Sequence, residues 1–496
     1  MAGGSVTRGV VAAGHPLSAE AGAEALRAGG NAVDAALGAM LTSFVAEPLL
    51  TGLGAGGYML VVAPGGEATL LDFFVEAPGR GADPARRAPL VPVDVSFGDA
   101  VQRFNVGAAS VGAYGTPAGV HAAAERFGSM PLAELAAPAT RHAREGVVVT
   151  PEQGYIFEIL GPILASTPEA AALFAPEGRP LAPGERCVQP ELADALERLA
   201  CDGPGPFYTG DLGAAVADRL AEHGGSLTVE DLAAYAVVDR APARVPYRGR
   251  EVLTNPPPSA GGILIAYALA LLDTWSGPPA LERILAAMER AQDERTPDFL
   301  AGLASPGFLD EFLGRRLGTT THISVLDAEG WACSVTCSNG ASSGVVVPGT
   351  GIHLNNMMGE EDLNPLGFHR HPAGRRMPSM MAPTVVLHEG RPQLVLGSAG
   401  SNRIRSAILQ TIVGVVDHGL AAGPAVERPR AHLEAGTLYA EPGVPADELE
   451  AAGWPVAPFR ALNVFFGGVQ AAERDVATGA FSGGGDPRRG GAAVVV

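Results

Sequence analysis

The chain has 496 residues and a formal net charge of −19 at pH 7. A single hydrophobic core rarely grows beyond about 250 to 300 residues, so the length predicts two domains or one large layered α/β body. Apolar residues make up 47% and charged residues 18% of the chain, which is typical of globular enzymes and excludes fibrous and disordered classes. The negative charge argues against nucleic acid and membrane surfaces as partners and favours a small-molecule substrate.

All 34 basic residues are arginine. The chain therefore lacks the amine side chain of a Schiff base, a Ser-Lys dyad or a P-loop phosphate site.

Its four cysteines are too few for a disulfide framework, and the spacing of Cys333 and Cys337 places both on one face of a predicted strand. Neither the polar N-terminus nor any later run of about 18 apolar residues suggests a leader or a membrane span, so we expect a cytoplasmic protein.

Hydrophobic periodicity predicts that residues 18–46 form two alanine-rich helices separated at Gly29 and Gly30. Beyond them we predict a hairpin, a long, mostly helical region and a β-rich C-terminal part. The predicted elements are strands at 58–63 and 69–74, helices within 118–200, a helix at 264–272, a charged helical stretch at 275–318, strands at 322–326, 332–338 and 345–347, and a hairpin of 384–388 with 393–397. The glycine-rich tail, 482–491, is predicted to be loose.

Three motifs that often carry chemistry give weak signals here. GLGAGG at 52–57 fits a dinucleotide-binding loop but opens a predicted strand instead of a helix. GASSG at 340–344 fits a nucleophile elbow around Ser342, yet no helix is predicted after it. His369 and His371 follow an acidic stretch, but without a fixed scaffold they indicate a solvated loop rather than a metal site.

The segment GTTTHISV at 318–325 places hydroxyl groups where the charged helical region meets the β-rich region. A threonine becomes a competent nucleophile when it is the first residue of a chain, because its free α-amine then serves as the base. That amine has a pKa of about 7.7 to 8.0 in peptides, so a good fraction accepts protons near neutral pH. An internal threonine reaches this state only after the preceding peptide bond is cut. On spacing alone, a threonine-rich strand start is the better interpretation.

Eight segments, in order along the chain, resemble the gamma-glutamyltranspeptidase family of N-terminal-nucleophile hydrolases. They are GGNAVDAA (29–36), EPLLTGLGAGG (47–57), GTPAG (115–119), NPPPSAGG (255–262), TTH (320–322), GIHLNN (351–356), MAPT (381–384) and GSAGS (397–401). The resemblance covers the chain from end to end. With it, the interpretation of Thr320 as a nucleophile is favoured over that of a threonine-rich strand start. The resemblance implies an enzyme that needs neither a metal ion nor a cofactor.

The resemblance implies an α/β (α+β) fold, a four-layer αββα sandwich built from two subunits of one precursor. Self-cleavage between Thr319 and Thr320 would give a large subunit, 1–319, and a small subunit, 320–496, which together form one composite domain. Thr320 would attack an amide carbonyl with its own amine as general base, and water or an acceptor amine would resolve the acyl-enzyme.

Three further positions match the family's catalytic groups. Backbone N–H groups at Gly400 and Ser401 would hold the oxyanion of the tetrahedral intermediate. Ser338 falls where the family places a second hydroxyl near the nucleophile. It could orient the amine or the hydroxyl of Thr320.

The substrate site is retained in part. Glu360 matches the acid that pairs with the substrate amine, Ser379 is the remaining member of a serine pair, and Asn339 lies beside Gly340, which stands where the family has an asparagine. Glu360 and Asn339 would bind the amino end of a γ-glutamyl group, and Ser379 would be a further substrate-binding residue.

Other positions depart from the family pattern. Asp83 aligns with the arginine that binds the substrate carboxylate, and Arg80, Arg86 or Arg87 could substitute from nearby. Met357 replaces a polar residue, and Pro378 replaces the first serine of the pair. These changes put the carboxylate clamp in doubt.

The retained and altered positions leave three functions open. The first is cleavage of a γ-glutamyl or related small amide, with glutathione as a candidate. The second is hydrolysis of a different amide or N-acyl compound, as by an oxamate-type amidase or a glutaryl-type acylase. The third is a non-catalytic binding protein on the same scaffold, although a binder needs no hydroxyl at a potential chain start.

Overall fold

The computed structural model describes residues 7–96, 101–293, 321–364 and 367–496. The strands are β1 (Gly9–Ala13), β2 (Gly56–Val62), β3 (Ala68–Phe73), β4 (Val91–Ser96), β5 (Val101–Val106), β6 (Val147–Val148), β7 (Arg186–Cys187), β8 (Val238–Arg240), β9 (Ala243–Tyr247), β10 (Arg250–Thr254), β11 (Thr321–Asp327), β12 (Ala332–Ser338), β13 (Val346–Val347), β14 (Ile352–His353), β15 (Thr384–His388), β16 (Arg391–Ala399), β17 (Ala431–Glu434), β18 (Thr437–Ala440), β19 (Val456–Pro458), β20 (Gly468–Arg474), β21 (Phe481–Gly485) and β22 (Ala492–Val495).

The helices belong mostly to the first half of the chain. They are α1 (Pro16–Arg27), α2 (Ala32–Ala46), α3 (Thr116–Phe127), α4 (Leu132–Glu145), α5 (Pro151–Leu164), α6 (Pro168–Phe174), α7 (Pro190–Asp202), α8 (Gly205–Tyr208), α9 (Asp211–Glu222), α10 (Val229–Ala233), α11 (Gly261–Asp273), α12 (Leu281–Asp293), α13 (Ile404–Val416), α14 (Ala422–Glu427) and α15 (Ala446–Ala452).

Two antiparallel sheets form the centre of the molecule. The first has seven strands in the order β22-β1-β11-β12-β2-β3-β8, and the second has six in the order β21-β20-β16-β15-β10-β9. Helices α1, α2 and α3 pack on the outer face of the first sheet, with α4 and α7 stacked behind α2. Helices α11, α13 and α14 pack on the outer face of the second sheet, with α12 against α11. The predicted four-layer αββα sandwich is therefore confirmed.

Strand β11 shows how sequence alternation builds these layers. Ile323 and Val325 belong to the apolar core under the helices, whereas His322 and Ser324 point the other way and bond to groups between the sheets. Successive side chains of a strand face opposite sides. Because β11 lies inside the first sheet, both of its faces are buried.

Helix α2 starts where the sequence indicates. Gly29 has a φ of +97°, a backbone conformation that glycine adopts without a steric penalty. Asn31 caps the helix by accepting from the N–H groups of Val33 and Asp34, and the Asp34 carboxylate accepts from the Asn31 N–H in return. Such a capping box satisfies backbone donors that the first turn leaves free.

Several other predicted elements are present where they lie on described residues. Both hairpins form, as β2 with β3 and β15 with β16, and the predicted helix at 264–272 lies within α11. Of the charged stretch predicted as helical, 281–293 form α12, 275–280 are not helical, and 294–318 lie outside the described residues. Cys333 and Cys337 do share a sheet face, since both belong to the core under the helices. Within the described ranges, no helix has the length and apolar character needed to span a bilayer.

The prediction of a loose tail is wrong. Residues 481–485 form β21, an edge strand of the second sheet. A Cβ at Gly483 would lie 2.8 Å from Val10 Cγ2, and a Cβ at Gly485 would lie 2.1 Å from the Ala492 nitrogen. The glycines therefore permit close approach between backbones rather than flexibility.

A buried ionic cluster anchors the same tail. The Asp486 carboxylate pairs with Arg430 Nη2 at 2.6 Å and with Arg488 Nη1 at 3.1 Å, and Arg488 also pairs with Glu441. Burial alone would raise the pKa of Asp486, but Arg430 and Arg488 outweigh it and hold that pKa below its usual value.

Asp486→Asn is expected to lower the free energy of unfolding by about 3 to 5 kcal/mol, because it leaves buried arginine charge unpaired. Denaturant unfolding at pH 7 measures this loss. Since the folded-state pKa lies below the unfolded one, the wild type keeps the contribution above pH of about 4 and loses it only on further acidification. Asp194→Asn is the matched control, because the Asp194–Arg144 pair is exposed and should cost less than about 1 kcal/mol. Equal losses in the two variants would contradict the account.

Candidate active site

The predicted cleavage pair, Thr319 and Thr320, lies outside the described residues. The described chain resumes at Thr321, the first residue of β11. There Thr321 pairs with Cys337 of β12, and Ser338 follows as the last residue of β12. The segment that would carry the nucleophile therefore enters the centre of the first sheet.

Ser338 is almost fully buried at the end of β12, opposite Gly56 of β2. Its Oγ accepts a hydrogen bond of 2.8 Å from the Gly340 N–H. The hydroxyl is thus fixed at the start of the loop that leaves β12. Its predicted contact with Thr320 stays a prediction.

Two acceptor oxygens converge on Gly340. A Cβ on this residue would lie 2.2 Å from Asn356 Oδ1 and 2.9 Å from Glu360 Oε1, and its φ is +67°. Glu360 Oε1 accepts from the Ala341 N–H at 3.1 Å, and Asn356 Oδ1 has no hydrogen-bond partner. Only glycine lets these two oxygens pack against the backbone at position 340, so the loop brings two hydrogen-bond acceptors together here.

Asn339 is fully buried, and neither atom of its side-chain amide has a hydrogen-bond partner. The backbone is tied on both sides, because the Asn339 N–H donates to Leu50 O at 2.9 Å and its carbonyl accepts from the Asn356 N–H at 3.1 Å. A Cβ on Gly52 would lie 3.4 Å from Asn339 Nδ2, in ordinary van der Waals contact. Buried amides without partners are uncommon in native proteins and mark sites with an unfilled polar role.

Ser379 lies on a separate loop that packs against the start of α11. Its Oγ accepts from the Met381 N–H at 3.0 Å, and its carbonyl accepts from the Ala260 N–H at 2.9 Å and from Ser259 Oγ at 3.2 Å. These bonds fix the backbone that precedes β15. The substrate-binding role of Ser379 stays a prediction.

Arg80 is held by acids. Its Nη1 lies 3.3 Å from Asp231 Oδ1 and 3.7 Å from Glu76 Oε2. Asp83, at the position of the family's arginine, is exposed and accepts from the Ala85 N–H at the start of a short turn. The charge of Arg80 is therefore already paired with carboxylates of the protein, and its role as a ligand for a substrate carboxylate stays a prediction.

Sequence reasoning missed Arg376, which is buried in the same cluster as Arg80. Its guanidinium lies 3.4 Å from Asp72 Oδ1 and 3.6 Å from Glu76 Oε1, and it stacks over Tyr235 with 4.8 Å to the ring centre. The flanking RRMPS stretch gave no sign of this, because its partners lie more than 130 residues away along the chain.

Gly400 and Ser401 stand at the end of β16, where the chain turns into α13. Gly400 has a φ of +120°, and a Cβ there would lie 2.6 Å from Gly467 Cα. Its carbonyl accepts from the Arg403 N–H at 3.0 Å, which closes a short helical turn at the head of α13. Backbone N–H groups at such a helix start suit a developing negative charge.

Ser342 does not form a nucleophile elbow. It has a φ of +76° and bonds to His353 Nε2, but it is fully buried, and strand β13 follows it instead of a helix. Its Oγ also accepts from the Gly344 N–H at 2.9 Å. Burial lowers the pKa of His353 to about 4, so this pair is a neutral structural contact between the loop after β12 and strand β14.

Known proteins resemble this chain in sequence and in fold. The family model for gamma-glutamyltranspeptidase matches residues 18–313 and 311–496. The Acylase ACY 1 proenzyme of Pseudomonas sp. (strain SE83) is 34% identical over 89% of this chain and 85% of its own length. The Glutathione hydrolase proenzyme of Escherichia coli (strain K12) is 32% identical over 92% of this chain and 87% of its own.

A solved structure of cephalosporin acylase from Bacillus halodurans superposes with a TM-score of 0.82 at 27% identity, over 98% of this chain and 96% of that one. The fold and these relatives define an N-terminal-nucleophile hydrolase, an enzyme of the amide hydrolase and acyltransferase class. The chain belongs to the gamma-glutamyltranspeptidase family. The predicted family and enzyme class are confirmed, and a non-catalytic binding role is not supported.

Proposed function

We propose that this protein is a precursor that cuts itself between Thr319 and Thr320 and then uses Thr320 to cleave the amide of a γ-glutamyl-type substrate. Two features support the nucleophile. Position 320 directly precedes a central strand of the first sheet, and both relatives described above carry the name proenzyme. The products of self-cleavage are the chains 1–319 and 320–496.

Self-cleavage needs only the groups of the precursor and water. The Thr320 hydroxyl attacks the carbonyl carbon of Thr319, the C–N bond breaks, and the amide becomes an ester with a free amine on Thr320. Water then hydrolyses the ester, which leaves a carboxylate on Thr319 and restores the hydroxyl.

The mature site repeats this chemistry on a substrate. The Thr320 amine accepts the hydroxyl proton as Oγ attacks the substrate carbonyl, and it returns that proton to the leaving amine as the C–N bond breaks. Water or an acceptor amine attacks the resulting ester and releases the acyl group. We assign the oxyanion to the backbone N–H groups of Gly400 and Ser401, each worth about 10²- to 10³-fold in rate.

The pair of acceptors at Gly340 supports a substrate whose acyl group carries an amine. The Glu360 carboxylate and the unpartnered Asn356 Oδ1 both lie against the Gly340 backbone. Both are acceptors, so the complementary ligand is a donor with positive charge, as the ammonium of a γ-glutamyl group is. This convergence is the observation that carries the assignment.

A glutaryl-type acyl group, which lacks the amine, is the second candidate. Met357, which stands where the family has a polar residue, is buried and offers no hydrogen-bonding group to an amine. A substrate without the amine would leave the Glu360 carboxylate without that ligand. We therefore place this alternative second.

Two chromogenic substrates that differ only in the amine separate the candidates. The kcat/KM for γ-glutamyl-p-nitroanilide is expected to exceed that for glutaryl-p-nitroanilide by about 10²-fold or more, because a site built for a polar group rejects the analogue that lacks it. Release of p-nitroaniline measures both rates. A preference for the glutaryl compound would transfer the assignment to the acylase alternative.

A further inference from the structure

A buried histidine lies close to the predicted nucleophile in the chain. His322 is the second residue of β11, only 1% exposed, and its ring faces Gly397 of β16 in the second sheet. A Cβ on Gly397 would lie 2.4 Å from the ring atoms Nδ1 and Cε1. Glycine at 397 thus makes room for the imidazole between the two sheets.

Both ring nitrogens are hydrogen-bonded, and the partners determine the tautomer. Ser324 Oγ donates its only proton to the Gln470 carbonyl at 3.0 Å, so it accepts from His322 Nε2–H at 2.8 Å. Thr336 Oγ1 then donates to His322 Nδ1 at 2.7 Å. Burial lowers the pKa of His322 to about 3. The ring is a neutral imidazole with no free proton site.

The hydroxyls around the ring tie the first sheet to the second. Ser324 reaches the carbonyl of Gln470 in β20, and Ser334 Oγ donates to the carbonyl of Leu396 in β16 at 3.2 Å. Ser334 Oγ also accepts from the Thr384 N–H at 3.0 Å. A lost partner inside such a buried network leaves a polar group unsatisfied.

We propose that His322 is the positioning residue for the nucleophile: it fixes the start of β11 against the second sheet and so holds the catalytic hydroxyl in reach of its target. This inference rests on the proposed role of Thr320. Thr321 is the first residue of β11, so the anchored ring fixes the end of the strand to which Thr320 is joined in sequence. The residue that holds the hydroxyl is thus distinct from the base, which is the chain's own amine.

Substitutions at His322 test the proposal through kcat. His322→Ala is expected to lower kcat by about 10²-fold with KM little changed, because a displacement of about 1 Å from the attack geometry costs that much. Self-cleavage should slow in parallel. His322→Gln can still reach Ser324 and should recover part of the loss. On the acidic side of the pH profile, the pH at which kcat/KM falls to half should be the same in both variants as in the wild type. If His322 were the general base, this acidic fall in kcat/KM would be lost in the variants.

Two further variants keep the test sharp if His322→Ala folds poorly. Thr336→Val preserves shape and removes only the proton given to Nδ1, and it is expected to lower kcat by about 2- to 10-fold, with KM unchanged. His15→Ala removes another buried histidine, one that accepts from the Leu17 N–H at the head of α1. It should lose stability but keep kcat and self-cleavage.

The outcomes separate this inference from the proposed function. If the wild type is cut before Thr320 and is active, but folded His322→Ala and Thr336→Val variants match its kcat and self-cleavage, the positioning role is wrong and the nucleophile stands. If Thr320→Ala is still cut and active, the nucleophile assignment itself is wrong.

Discussion

Thr320→Ala is expected to remain a single chain and to lose amide hydrolysis by about 10⁴-fold or more, the scale of removing a catalytic nucleophile. The reason is chemical: alanine has no hydroxyl to attack either the Thr319 carbonyl or a substrate. Denaturing electrophoresis shows whether the chain stays in one piece. Release of p-nitroaniline from γ-glutamyl-p-nitroanilide measures the loss of amide hydrolysis. Thr320→Ser keeps hydroxyl and amine and should retain slow self-cleavage.

Ser342→Ala is the matched control for that result. Ser342 is the only serine of the chain in a G-x-S-x-G context, and it already has a histidine partner in His353. The variant should still be cut before Thr320 and should lose far less activity than Thr320→Ala. Activity that survives in Thr320→Ala and disappears in Ser342→Ala would make Ser342 the nucleophile instead.

Glu360→Gln is expected to narrow the preference for the γ-glutamyl over the glutaryl substrate. The change removes the negative charge beside Gly340 and keeps the size of the side chain. For γ-glutamyl-p-nitroanilide, kcat/KM should fall by about 30-fold or more, since breaking a buried charged pair costs at least about 2 kcal/mol. For glutaryl-p-nitroanilide it should stay level or rise, because that ligand has no ammonium to pair with the carboxylate.

The two substrates serve as controls for each other in this experiment. Damage to the fold or to the nucleophile lowers both rates together, and only loss of the amine contact lowers one alone. A Glu360→Gln variant with equal losses on both compounds, and normal self-cleavage, would remove Glu360 from amine recognition.

Much of the fold could be predicted because its physics is local. The capping box of Asn31 and Asp34 and the alternation along β11 are visible in the sequence. The prediction for the tail, 482–491, was wrong because composition alone does not distinguish a glycine that makes the chain flexible from one that lets two backbones approach closely. Gly483 and Gly485 are of the second kind, since neighbouring strands occupy the space of their side chains.

The site was predictable only where a motif gave both residue and role. Family order predicted residue and role for Ser338, Glu360 and Gly400, and these roles stay predictions. It gave no sign that Asn356 Oδ1 faces Gly340, or that Arg80 is paired with an acid 151 residues away. Such contacts arise from long-range packing, which a single sequence does not encode in any local pattern.

The central claim is a threonine nucleophile created by self-cleavage, and its most direct test is denaturing electrophoresis of the purified protein with N-terminal sequencing of each band. The account predicts two bands, of which the smaller begins at Thr320 and contains residues 320–496. An active protein that runs as one intact chain, or a smaller band that begins at another residue, would contradict it.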